Sequence, residues 1–180
     1  YQAAGRIEHL FFLPIISIAT SLVTLTGMFY GAKRLNLLKK IVNYGISRGI
    51  GIAVVVGMVF FFFSDRILPG FSDNNIIIEN AIIYFKVMVF AYPFITIGMT
   101  SSRIMQGLGY AYPMLVMTLF RVIGISAPLA IYFTSVLNKP IKYVWISMLI
   151  SSIIVSTTGY GWMRRIMNCL ISSEQEDSVT

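Results

Sequence analysis

The stretch 14-PIISIATSLVTLTGMFYGAKR-34 decides the class of fold. Its eighteen positions 15–32 carry no charge, and as a helix rising about 1.5 Å per residue they cover about 27 Å, enough to cross the hydrocarbon core of a bilayer. Lys33 and Arg34 then stop the segment at an aqueous face. Gly27 and Gly31 stand four apart, so they share one side of the helix and admit a neighbour at close range.

The rest of the chain has the same character. It is 57% hydrophobic and only 12% charged, where soluble domains carry about a quarter of charged residues, and its mean hydropathy is +0.78. An all-α, polytopic transmembrane helix bundle follows. A signal peptide does not account for the pattern, because apolar segments recur to the end. The formal charge of +7 sits at segment ends rather than along one face, which argues for membrane flanks and against nucleic acid. Cys169 stands alone, so the sequence contains neither a disulfide framework nor a cysteine metal cluster.

Five crossings are predicted, at about residues 10–30, 43–63, 81–106, 113–134 and 143–163, within a helical lobe of residues 1–168 followed by a polar, disordered tail at 169–180. In the first, Ser17, Thr20, Ser21 and Thr24 put hydroxyls on one face. A basic loop with Lys39 and Lys40 is expected over 35–42. The second crossing repeats the four-residue glycine spacing at Gly45 and Gly49 and ends in four phenylalanines, Phe60 to Phe63. Residues 64–80, with Pro69-Gly70 and Asp73-Asn74-Asn75, read as a loop on the outer side. The third crossing is the least uniform: Lys86 lies near its outer end, Pro93 and Gly98 interrupt its middle, and Thr96 to Gln106 make its inner third polar. A proline there frees a carbonyl one turn earlier and bends the axis, which suits a helix beside a wet cavity. In the fourth, Arg121 lies deep enough to need a partner, and Pro128 is expected to kink the outer half. Another outer loop is expected at 137–142. With alternate sides assigned, Lys33, Arg34, Lys39, Lys40, Arg48, Arg103, Arg164 and Arg165 fall inside, while Arg6, Arg66, Lys86, Lys139 and Lys142 fall outside. That bias favours a cytoplasmic C-terminus.

No active site is legible, and the chain is not read as an enzyme. His9 is the single histidine, and neither a nucleophile elbow nor a phosphate-cradling loop occurs. No metal site or cofactor is expected. Work against a gradient would require coupled ions, and that normally requires an intramembrane carboxylate. Glu8, near the outer end of the first crossing, comes closest.

The order Ala4-Gly5-Arg6-Ile7, Leu13-Pro14 and Gly27-x-x-x-Gly31-Ala32-x-Arg34 resembles the second helix of the C-terminal lobe in the MATE family of multidrug and toxin extrusion antiporters. Gln106-Gly107-Leu108-Gly109 closing a helix that carries Tyr92-Pro93, and Arg121 followed by Pro128, are similar to the fourth and fifth helices of that lobe. The resemblance covers about residues 3–165. It implies a plasma-membrane protein of two six-helix lobes that exports organic cations or drugs in exchange for protons or sodium. This chain then supplies five helices of one lobe, and it is expected to be a fragment, with about 250 residues upstream that include the N-terminal lobe. Some members carry a carboxylate near the position of Pro93, where this sequence has Phe94, Ile95 and Thr96. Coupling through the missing lobe is therefore the expectation. Thr20, Thr24, Tyr92, Thr96 and Thr100 are the candidates to line a central cavity, with the Tyr92 ring able to hold a cation on its face. Two rivals remain: a flippase for lipid-linked oligosaccharides, favoured if Lys86, Arg103 and Arg121 converge on one cavity, and a membrane scaffold without transport.

Overall fold

The computed structural model describes residues 2–67, 75–132 and 142–177, and among the described residues no strand forms. Helix α1 spans Gln2–Gly31, α2 Leu35–Ile67, α3 Asn75–Met88, α4 Tyr92–Gly107 and α5 Tyr112–Leu119. A π-helical segment at Phe120–Ser126 joins α5 to α6 (Ala127–Ile131), and α7 runs over Lys142–Asp177. Helices α1 and α2, the continuous α5-to-α6 rod and α7 are each long and apolar enough to cross a membrane, and the bent pair α3 and α4 adds a fifth when its two halves are counted as one span. Side chains such as Phe62, Leu115 and Ile123 stand exposed on the outside of the bundle.

Several helices are longer than expected. The basic loop over 35–42 is helical instead, because Leu35, Leu38 and Val42 recur at helical spacing and bury themselves, while Lys39 and Lys40 stay exposed on the other face. Only Ala32 to Arg34 separate α1 from α2. The first helix closes in a Schellman motif: Lys33 has φ 56°, its N–H donates to the Tyr30 carbonyl at 3.0 Å, and the Arg34 N–H donates to Phe29 at 2.9 Å. Helix α4 ends the same way, with Gly109 at φ 92° and the Tyr110 N–H donating to Met105 at 2.9 Å. The expected disordered tail is helical through Asp177, since Met163, Met167, Leu170 and Ile171 continue one apolar stripe into the core. The outer loop expected over 64–80 contracts, as residues 64–67 and 75–80 belong to α2 and α3. Its remainder, and the loop at 137–141, lie outside the described residues, as do the side chains of Glu8, Arg6 and Lys142.

The third crossing is broken rather than gently kinked. Helices α3 and α4 meet at 61° across Val89, Phe90 and Ala91. Pro93 stands in the first turn of α4, where its missing N–H costs nothing to the helix it opens but removes the donor that would tie it to Val89. Gly98 is no breaker: a Cβ there would sit 3.5 Å from the Ser156 Cα, so it brings α4 against α7. Pro128 likewise produces no break. The surplus residue is absorbed just before it as π-turns, with the Ala127 N–H reaching back five residues to Val122.

Two cores fill the bundle, one toward each end. Near one end, Phe12, Phe60, Tyr84, Phe85, Tyr92 and Trp145 pack together, with Phe60 and Phe85 stacked at 4.5 Å. At the other, Leu35, Leu38, Val42, Ile104, Met105, Leu108, Met163 and Met167 close around the two Schellman turns. Small residues set the helix spacing. Gly45 fits the Leu22 side chain, a Cβ on Gly49 would come within 3.2 Å of the Thr96 methyl, Ala53 is fully buried and a Cβ on Gly57 would come within 3.2 Å of Val89, so one ridge of α2 locks onto both α1 and α4. A Cβ on Gly27 would come within 3.2 Å of the Gly107 carbonyl, whereas one on Gly31 would meet nothing within 4 Å.

Candidate functional site

Helix α4 carries two chemically different faces. Tyr92, Thr96 and Thr100, four apart, form one face and are fully or almost fully buried. The Thr96 hydroxyl donates to the Tyr92 carbonyl at 2.9 Å. The Tyr92 ring meets Phe12 edge-on at 5.1 Å, and Gly49 of α2 covers Thr96 and Thr100. These three residues are part of the helix packing. Thr20 and Thr24 are exposed on α1, so the five residues expected to share a cavity do not meet in one. The stripe they belong to is satisfied from within: Ser17, Thr20 and Ser21 donate to the carbonyls of Leu13, Ile16 and Ser17 at 2.8–2.9 Å.

The other face of α4 lines a cavity of about 260 Å³. Phe94, Ile95, Gly98, Met99, Ser102 and Arg103 form its wall from α4, Met117 and Thr118 from α5, Arg121 from the π segment, and Ser152 and Ser156 from α7. The hydroxyls there are already engaged as donors: Thr118 to the Met114 carbonyl at 2.9 Å, Ser152 to Met148 at 2.8 Å and Ser156 to Ile153 at 3.1 Å, while Ser102 points at the Met117 sulfur at 3.3 Å. Arg103 Nη1 donates to Gln106 Oε1 at 3.2 Å, and its Nε is buried with no hydrogen-bond partner. Arg121 is tied down through its backbone, where its carbonyl accepts from the Ser151 hydroxyl at 3.4 Å. Among the described residues no carboxylate faces either guanidinium. Lys86 is exposed on α3 and lines no part of this cavity, so two of the three cations considered from sequence converge. Their meeting was not readable from spacing, because Arg103 and Arg121 lie on opposite sides of the Schellman turn and only the rotation of each helix aims them together.

The basic end of the bundle is held by a third arginine. Arg164 Nε and Nη2 donate to the Tyr160 hydroxyl at 2.8 and 2.6 Å, and Nη2 also reaches Asn43 Oδ1 of α2 at 2.9 Å. Among the described residues no group of histidine, cysteine and acidic side chains could hold a metal.

Comparison with known proteins gives a consistent result. A family model described as MatE matches residues 1–132. The probable multidrug resistance protein NorM of Thermotoga maritima is 23% identical over 152 residues, covering 84% of this chain and 33% of that protein. The protein of the same description from Listeria monocytogenes is 34% identical over 94 residues, 52% of this chain and 20% of its own length. A crystal structure of MATE in complex with MaL6 superposes with a TM-score of 0.89 at 23% identity, over 96% of this chain and 39% of that one; at that identity the likeness establishes the fold. The chain spans about a third or less of the length of these curated relatives.

Proposed function

Because this chain belongs to the MatE family, we propose that it forms most of one helical lobe of a multidrug efflux transporter, an integral protein of the plasma membrane that exports organic cations or drugs by alternating access. The observation that carries this reading is the broken span. A helix interrupted at Val89 to Ala91, bent by 61° and packed against α1, α2 and α7, gives the lobe a hinge of the kind that broken helices supply in transporters built from repeats. The exposed hydroxyl stripe of α1, Ser17, Thr20, Ser21 and Thr24, supplies a polar surface against which a second lobe of the same polypeptide would enclose a wet cavity. Thr20 and Thr24 are then the cavity residues. Tyr92, Thr96 and Thr100 act behind them, holding the upper half of α4 in place.

Export against a gradient is coupled to protons or sodium through a carboxylate outside this chain. The reason is placement: all the acidic residues of this sequence lie at helix ends or between helices, and residues 94–96 carry no acid. The basic end of the bundle, with Lys33, Lys39, Lys40, Arg103, Arg164 and Arg165, supports its assignment to the cytoplasmic side and a cytoplasmic C-terminus.

The test is ethidium efflux from cells expressing the full-length protein, with a proton or a sodium gradient imposed. Gradient-dependent efflux is expected; its absence under both gradients would overturn the drug-export reading and leave the scaffold and flippase readings. The flippase reading keeps one observation, the shared cavity of Arg103 and Arg121. Against it, about 260 Å³ is below the range of about 300–1,000 Å³ typical of sites that enclose a whole small molecule, and Lys86 stands apart.

A further inference from the structure

We propose that the cavity between α4, the π segment and α7 is a phosphate-binding site, in which Arg103 and Arg121 hold the phosphate group of an anionic lipid headgroup. Electrostatics carries the first step. Two arginines line one small cavity in a membrane-spanning bundle, and an uncompensated cation at such depth is costly. Each compensating group within the chain is spent or remote. The hydroxyls of Thr118, Ser152 and Ser156 donate to their own helices, and Gln106 takes only one nitrogen of Arg103. Glu8 lies 23 residues before the end of α1, about 34 Å along the axis, and Glu174 lies 18 residues beyond Ser156 on α7, about 27 Å. Asp65 and Glu79 belong to the end of the bundle remote from the Schellman turns.

Geometry carries the second step. Arg103 sits four residues, about 6 Å, before the end of α4. Arg121 starts deeper, nine residues or about 13 Å into the next helix, and helical side chains lean toward the helix N-terminus, here the same end of the bundle, which long cationic side chains use to approach the interface. Their shared cavity thus begins just beneath the headgroup layer at Arg103 and runs inward along α4 to Phe94, within a core about 30 Å thick. The helix that carries Arg121 exposes Leu115, Leu119, Val122 and Ile123, an apolar wall for acyl chains. Two planar guanidinium forks, one with a buried Nε still free to donate, match the tetrahedral oxygens of a phosphate. The volume admits such a group but not a drug-sized molecule. This site is separate from the export cavity, so its test does not depend on transport.

The full-length protein, delipidated in detergent, is titrated with phosphatidylglycerol, with phosphatidylcholine and with inorganic pyrophosphate, and binding is read by native mass spectrometry alongside the thermal midpoint. Phosphatidylglycerol is expected to bind and raise the midpoint. Arg103→Gln and Arg121→Gln each weaken it by about tenfold, Arg103→Lys with Arg121→Lys weakens it less, and Lys86→Gln changes nothing. Pyrophosphate bound with the same arginine dependence, without the lipid, would keep the phosphate site but assign it to a free anion. Equal binding by wild type and both glutamine variants, each eluting as a single species, overturns the proposal. So does restoration of a destabilised Arg103→Glu variant by a carboxylate-to-arginine exchange elsewhere in the polypeptide, because the arginines would then have a protein partner.

Discussion

At the scale of single residues, the molecule is governed by where a side chain has room. A Cβ on Gly107 would run into the Thr26 hydroxyl and the Val23 carbonyl, and backbone cannot yield as a flexible side chain can. Gly107→Ala in the full-length protein is therefore expected to destabilise the fold by about 1–3 kcal/mol, read as a lowered thermal midpoint. Gly31→Ala, with nothing within 4 Å, should be neutral or slightly stabilising, since alanine favours helix by up to about 1 kcal/mol. Equal effects at the two positions would contradict the packing described. The spacing of Gly27 and Gly31 announced a contact face, but sequence could not say that only the first glycine makes the contact. Glu8 offers a second residue-scale test. If coupling resides outside this chain, Glu8→Gln leaves gradient-dependent efflux within about twofold of wild type, whereas loss of tenfold or more would give Glu8 the coupling role.

At the scale of elements, prolines and apolar stripes explain both the correct and the corrected boundaries. Tyr92-Pro93 marked the weak point of the third span, and the break falls one turn before it, as the lost donor to the Val89 carbonyl demands. Pro93→Ala restores that donor and favours a straighter α3 and α4; efflux is expected to fall by about tenfold while the protein still folds, since the hinge and not the core is altered. Unchanged transport would remove the hinge from the proposed cycle. Pro128 was equally visible, yet its strain is spread over the π segment from Phe120 to Ser126. The basic pair Lys39-Lys40 points to a loop by charge alone, whereas the period of the apolar residues around it is helical. Leu35, Leu38 and Val42 bury themselves at helical spacing, and that burial outweighs two lysines which remain in water on the far side.

At the scale of the whole molecule, the basic ends of the spans gather around one core and the acidic residues Glu8, Asp65 and Glu79 belong to the opposite end. Cys169, exposed on α7 beyond Arg164 and Arg165, reports which end faces the cytoplasm. With Cys169 as the single cysteine of the full-length protein, a membrane-impermeant maleimide should label inside-out vesicles and leave intact cells unlabelled; the reverse pattern would invert the orientation. The sequence by itself determined that the chain is a bundle of lipid-spanning helices, the apolar centre of each span, and which span is interrupted. Those properties depend on local quantities: the length of an uncharged run, and the need to satisfy every backbone hydrogen bond within it. Only the tertiary structure decided that Tyr92, Thr96 and Thr100 are packed inward, and that Arg103 and Arg121 share a cavity with Ser152 and Ser156. Which face of a helix meets its neighbour is set by the rotation of one rod against another, and that rotation is a property of close packing between segments far apart in the chain.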